Sequence, residues 1–445
     1  MADNLFNTFQ SVSKAAFKER ILKDLKKEEF DASLLWTAED QTIQPFYHAE
    51  DVQQFMQAYD GKMNEIQDSG EGRQWKIMEV IKVDDPNVAN QYALNVLMHG
   101  AEAICFDLQQ QPLTEQIYTT LLNNIMVEVA PVQFANFSKL KVEHLATQVR
   151  ISQDVITQQL LQSVPAENIS IDLIHQQLAT STAFNLRIDA AVYQNAGATI
   201  TDQLAFTLAL LSEYLQSMEV NQHQNVSGIA VHFAVGSNFF FEVAKLRAAR
   251  KLIQVALKQF QLEKLPISME VSATGINKST LDAYNNMLRN TAEAMAAILG
   301  GADIIQLNAH DTLTQASENG KRWARNIGHI LRKESYFDLV NDPAKGSYYV
   351  ETLTDALAET AWTTFQFIEA NGGFLASVQS RFIPNRMTEN VEKMKTAAAD
   401  KSLVLVGVNK YVPKEGGIVA EKAVANSPSF LNPVRLAEAF EGKSE

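Results

Sequence analysis

The segment GIAVHFAVGSNFFFEVAKLRAARKL (228–252), followed by PISMEVS (266–272), decides the fold of this chain. Residues 228–235 are a short, nearly continuous apolar run rich in valine, the signature of a strand buried on both faces. Gly236-Ser237-Asn238 interrupts it, and Phe239, Val243, Leu246, Ile253 and Leu257 then recur at helical spacing. Pro266 introduces a second strand-like run. A buried strand, a long amphipathic helix and a second buried strand form a βαβ unit.

The alternation extends outward in both directions from this unit. Strands are expected near 75–83, 102–108, 125–130, 168–173, 186–193, 228–235, 266–272 and 303–308. Eight such units over this span predict an α/β fold, a (β/α)8 TIM barrel. Three regions follow from this: an N-terminal helical arm at 1–70, the barrel at 71–335, and C-terminal helices with a linker and tail at 336–445. In the arm, Phe6, Phe9, Phe17, Ile21 and Leu25 share one helical face, better suited to packing on this domain or a partner than to a membrane surface. Beyond the barrel, helices are expected at 317–334, 352–370 and 374–399, followed by a strand-like LVLVGVNKYV at 403–412.

Composition narrows the function classes. The chain has 445 residues, 46% of them hydrophobic, and only 19 glycines and 11 prolines, which suits a large packed core rather than disorder. Its net charge of −14, with no basic stripe, argues against nucleic-acid binding. No apolar run is long enough to cross a membrane, and Lys14, Lys18, Arg20 and Lys23 break up any signal-peptide core. The single cysteine, Cys105, forbids an internal disulfide, fits a cytoplasmic setting, and reads as a small buried residue. His310 and His329 lack metal-ligand spacing, so no metal site is expected.

Several blocks occur in the order seen in one known family: AVYQNAGAT (191–199), SNFFFEVAKLRAARKL (237–252), AYNNMLRNTAEAMAAILGGADI (283–304), LNAHD (307–311), RNIGHIL (325–331), NDPAKGSYYVE (341–351), IEANGG (368–373) and VGVNKYV (406–412). Together they resemble the barrel region of the methylmalonyl-CoA mutase family, over more than 200 residues. The resemblance implies a barrel whose bore admits acyl-CoA and whose open face receives adenosylcobalamin held by a C-terminal flavodoxin-like domain. That domain's D-x-H-x-x-G motif is found at none of the eight histidines, and the chain runs only about 33 residues past VGVNKYV. No cofactor bound by this chain is therefore expected.

The family's catalytic residues are also replaced. Anchoring on Gln194, Ala196, Gly197 and Ala198 puts Val192 where active chains carry the histidine that bonds the thioester carbonyl. Anchoring on Trp75 and Ile77 puts Val80 at the family's tyrosine position. Valine offers no side-chain hydrogen bond, so no catalytic residue is expected here. Gln194, Asn308 and Asp311 read as vestiges of the site. The loop SATGINKST (272–280) is shorter than its family counterpart, and the bore is expected to be filled by aliphatic side chains. The resemblance thus implies a small, inactive subunit of a heterodimeric mutase, with adenosylcobalamin and the chemistry on the large subunit. Phe6, Phe9, Phe17 and Trp36 would contribute to the interface. Two alternatives stand beside it: an active barrel using cobalamin on a separate chain, and a stand-alone acyl-CoA-binding or assembly module.

Overall fold

In the computed structural model, residues 11–30, 34–39, 41–51, 72–142, 145–146, 148–170, 184–218, 226–413 and 429–441 are described. Eight strands form one parallel sheet: β1 Lys76–Lys82, β2 Ala103–Asp107, β3 Val132–Ala135, β4 Val149–Ile151, β5 Phe184–Asp189, β6 Val226–Val235, β7 Ile267–Ala273 and β8 Ile304–Gln306. Each strand pairs with the next, except β4 with β5, and β8 returns to pair with β1 through Ile304 and Ile305. The β4/β5 seam is bridged by side chains instead. Arg187 Nη1 donates to Ser152 Oγ at 2.9 Å, and the Asp189 backbone N–H donates to Asp154 Oδ2 at 2.8 Å. The architecture is a (β/α)8 barrel.

The helices are α1 Lys14–Leu25, α2 Pro86–Met98, α3 Glu115–Leu122, α4 Val155–Leu161, α5 Ala190–Asn195, α6 Ile200–Ser217, α7 Phe239–Gln259, α8 Ala283–Gly300, α9 Glu318–Lys333, α10 Tyr348–Ala370, α11 Gly373–Gln379 and α12 Phe382–Ala399. Their starts follow local chemistry. Thr199 caps α6 by accepting the Asp202 N–H at 3.0 Å, and Asp85 with Pro86 opens α2. Gly301, with φ 101°, closes α8 in the left-handed conformation. Outward-facing strand residues such as Val231, Phe233, Met269 and Val271 meet Leu246, Leu257 and Ile298 of the surrounding helices in one continuous core. In α9, a Cβ on Gly328 would come within 2.8 Å of Ile77, so glycine lets this helix lie directly against β1. No helix among the described residues is long and apolar enough to cross a membrane.

Three strand expectations are corrected. The fifth strand, expected at 186–193, ends at Asp189, and Ala190–Asn195 form helix α5. Residues 125–130 form turns, not the third strand, which is Val132–Ala135. Ile125 and Val127 supply the apolar signal, but they are buried as loop residues that pack on the core. The fourth strand is the three-residue Val149–Ile151, too short for a periodic pattern. Residues Ala166–Asn168 are a 3₁₀ turn, Ile169 and Ser170 belong to no strand, and the remainder of the expected strand, 171–173, lies outside the described residues. The helix expected at 374–399 is two helices, broken where Arg381 takes φ 64°. LVLVGVNKYV is a turn with one isolated bridge, Val406 to Lys410, around Gly407 at φ 76°.

Candidate functional site

In parallel strands alternate side chains point inward. The inward set includes a polar group: Gln133 on β3, Arg187 and Asp189 on β5, His232 on β6, and Glu270 and Ser272 on β7. At mid-height, Gln133 Nε2 donates to Glu270 Oε1 at 2.5 Å. The Arg187 guanidinium forms an ion pair with the other oxygen of Glu270. Strands β3 and β7 are four places apart in a ring of eight, so the Gln133–Glu270 bond crosses the barrel's diameter. Gln133, Arg187 and Glu270 are 1%, 8% and 0% exposed. The bore is closed at this level.

The closure is ionic, which corrects the expected aliphatic filling. Burial alone would raise the Glu270 pKa, but the Arg187 charge, then His232 and the Gln133 and Arg187 hydrogen bonds, bring it below the usual carboxylate range. Burial likewise works against the Arg187 cation, but Glu270 and Asp189 outweigh it and raise its pKa. Apolar Met78, Ala103, Cys105 and Ile304 complete the bore wall. Burial pushes the Cys105 thiol up to about 12, the inert state expected of it.

On the N-terminal side, a cavity of about 770 Å³ lined by Trp75, Met78, Leu97, Ile125 and Ile304 ends on Gln133. On the C-terminal side lies a second polar layer. His232 Nδ1 is 2.9 Å from Asp189 Oδ1, and His232 Nε2 is 3.0 Å from Ser272 Oγ. The Asp189 carboxyl is held below its usual range: burial would raise it, and the His232 contact and the Arg187 charge outweigh that. This is the ligand-binding end of the barrel fold.

The residues singled out from sequence are dispersed around this centre. Val80, 45% exposed, lies on β1, while Val192 sits in α5, which follows the opposite strand, and packs partly on the main core. Gln194 is buried behind the barrel wall. It accepts from Lys245 Nζ at 3.0 Å and donates to Glu242 Oε1 at 3.3 Å. Glu242 and Lys245, an (i, i+3) pair on α7, are themselves 2% and 0% exposed and form a buried ion pair. Asn308 is exposed after β8. Asp311 accepts the Ser317 N–H at 3.1 Å and steadies the start of α9. Arg247 pairs with Asp342 and Glu351, and Arg250 with Asp303 at 2.9 Å. Phe17 is 44% exposed with its ring edge-on to Phe46, and Trp36 is 47% exposed beside Phe241. Phe6 and Phe9 lie outside the described residues.

Sequence reading missed Gln133, Arg187, Asp189, His232, Glu270 and Ser272. A signal was available: RID, VHF and EVS place polar residues at period two inside runs otherwise read as buried on both faces. Buried polar groups need partners, so such residues on neighbouring strands point to a network in the bore.

The described residues do not offer a histidine suited to ligate cobalt on this face. His232 is engaged at both ring nitrogens, and His310 lies between the rings of Tyr284 and Trp323. No cluster of three or more His, Cys, Asp or Glu suited to a metal ion occurs among the described residues.

The fold and site define a (β/α)8 barrel with a bore plugged at mid-height and a polar C-terminal mouth. The methylmalonyl-CoA mutase family model matches residues 148–427, well over half of the chain, and the chain belongs to that family. It is 29% identical over 440 residues to the methylmalonyl-CoA mutase small subunit of Porphyromonas gingivalis, covering 92% of this chain and 71% of that protein. It is 38% identical over 256 residues to the methylmalonyl-CoA mutase of Rhizobium meliloti, covering 56% of this chain and 36% of that one. With the large subunit of Propionibacterium freudenreichii subsp. shermanii it shares 30% identity over 317 residues, 67% of this chain and 43% of the relative. The chain therefore spans less than half the length of the last two.

Proposed function

We propose that this chain is the small, non-catalytic subunit of a heterodimeric, adenosylcobalamin-dependent methylmalonyl-CoA mutase in the cytoplasm. The large subunit would hold the cofactor and interconvert succinyl-CoA and methylmalonyl-CoA. This chain would stabilise it by burying surface against it. The observation that carries the reading is the diametric Gln133–Glu270–Arg187 closure, which leaves no room at that level for the pantetheine arm of an acyl-CoA. Val192 and Val80 support it, because neither can bond or polarise a carbonyl.

The test is light scattering of this chain mixed with the large mutase subunit from the same organism, with turnover measured in parallel. A 1:1 complex, with turnover requiring only the large subunit's own site residues, is expected. Absence of a complex at micromolar concentrations would refute the subunit reading. The exposed aromatics of the arm, Phe17 and Trp36, are proposed as part of the interface. Deleting residues 1–30 should weaken the complex by more than about tenfold, and unchanged affinity would remove the arm from the interface.

A further inference from the structure

The polar layer at the C-terminal mouth has a geometry that structural support alone does not require. Asp189, His232 and Ser272 sit on three consecutive strands, β5, β6 and β7, in a register that pairs Asp189 with His232 and Ala234 with Ser272. A carboxylate can only accept, so the 2.9 Å contact with Asp189 requires His232 to carry its proton on Nδ1. With Asp189 thus fixing the tautomer, Nε2 holds a lone pair 3.0 Å from Ser272 Oγ. Among the described residues His232 is the side-chain partner of that hydroxyl, and Ser272 is part-exposed toward the mouth. The carboxylate–imidazole–hydroxyl chain is complete, aligned and open to solvent at the end of the barrel where ligands bind. Beneath it the Arg187–Glu270–Gln133 layer seals the bore. Any substrate must therefore enter from the C-terminal mouth and be short at its acyl end.

We propose that Ser272 and His232 form a nucleophilic site that accepts the acyl group of small carboxylic esters, with Asp189 as the positioning residue. Ser272 Oγ adds to the ester carbonyl carbon while its proton passes to His232 Nε2. The carbonyl re-forms as the bond to the leaving oxygen breaks, and Nε2 returns the proton to that oxygen. Water then repeats the sequence on the acyl-serine: it gives a proton to Nε2, adds to the carbonyl and releases the carboxylic acid with Ser272 restored. No oxidant, metal or cofactor enters the balance. Asp189 holds Nδ1–H throughout and offsets the imidazolium charge.

The inference concerns the isolated chain and does not depend on the mutase reading, since its assay contains neither cobalamin nor a large subunit. The full-length chain is incubated with a fluorophosphonate probe, and the adduct is mapped by mass spectrometry; hydrolysis of p-nitrophenyl acetate is followed in parallel. A single adduct on Ser272 is expected, lost in Ser272→Ala and formed at least about 100-fold more slowly in His232→Gln, because the general base is gone. Asp189→Asn should also slow the reaction, and Asp189→Glu should restore part of it, a rescue that a purely structural carboxylate would not produce. Circular dichroism of each variant separates loss of chemistry from loss of fold. The wild-type result decides independently of every variant. No Ser272 adduct on the folded wild-type chain, under conditions that label a serine esterase, overturns the proposal. Equal labelling of wild type and a folded His232→Gln variant overturns it as well.

Discussion

Replacing Arg187 with methionine removes the cation paired with Glu270 while keeping most of the side-chain volume. Glu270 is 0% exposed and Arg187 side-chain exposure is 9%, so no solvent can substitute for the lost charge. Breaking a buried pair by deleting one partner costs about 3–5 kcal/mol. With 445 residues and about 2.1 cal/mol/K of unfolding entropy per residue, one kcal/mol corresponds to about 1 °C if the chain unfolds as one unit. Arg187→Met should therefore lower Tm by about 3–5 °C near neutral pH. The pH dependence carries a second signature. In the wild type the Glu270 pKa is depressed from 4.5, so its stabilisation is present above the unfolded carboxylate pKa and is lost only as pH falls through the folded value. Without Arg187, burial is the dominant influence and raises that pKa, so the variant should recover stability as pH falls from about 7 toward 5. Adding Glu270→Gln should restore most of the loss, because Gln133 keeps an acceptor and no charge remains buried. Calorimetry of the wild type, both single variants and the double variant at two pH values tests this. A single variant melting within about 1 °C of wild type, or a double variant no better than Arg187→Met, would refute the claim that an ionic layer closes the bore.

Introducing the side chains that the resemblance expects at Val80 and Val192 should not bring about the family's reaction. Val80→Tyr combined with Val192→His is expected to give no succinyl-CoA from methylmalonyl-CoA with added adenosylcobalamin, since the Gln133–Glu270 crossing remains; measurable turnover would mean that the bore is passable. Glu39, whose carboxylate accepts the Ile200 N–H at 2.7 Å, has its pKa raised from 4.5 to about 7, chiefly by burial. A pKa raised on folding favours the native state below the unfolded value and loses that contribution as pH rises, so urea midpoints should fall between pH 4.5 and about 7. Glu39→Gln should remove about 1–3 kcal/mol of that fall over the interval; an unchanged fall would reassign it. Cys105, buried with its thiol pushed up to about 12, should react with a disulfide reagent only after denaturation, and fast labelling of the native chain would contradict its burial in the bore wall.

Much of the barrel was legible because its strands are buried on both faces. Runs such as GIAVHFAV and ISMEVSA, each followed by a helix with one apolar face, leave few other ways to bury their surface. Legibility failed where local signals were ambiguous or absent. IMVEVA at 125–130 has strand composition but precedes Pro131 and folds as a turn; VRI at 149–151 is too short to show any period. Glu242 and Lys245 are only a helical (i, i+3) pair by spacing, but the Gly236 N–H donates to Glu242 and Lys245 donates to Gln194 and the Ala234 carbonyl, so both lie buried against the end of β6.

The sequence by itself determined that the chain is a βα-repeat barrel and that it resembles one family across more than half its length, and the resemblance carried the expectation that Val80 and Val192 stand at that family's catalytic positions. Only the tertiary structure decided the state of the bore. Gln133 and Glu270 are separated by 137 residues, and Arg187 and Glu270 by 83, so no local pattern links them. Closing eight strands into a ring set β3 opposite β7 and β5 two places from β7, and the same closure aligned Asp189, His232 and Ser272 in one hydrogen-bonded chain. Periodicity along the chain says which residues face inward; which inward residues meet depends on ring order and register, which exist only once the barrel has formed.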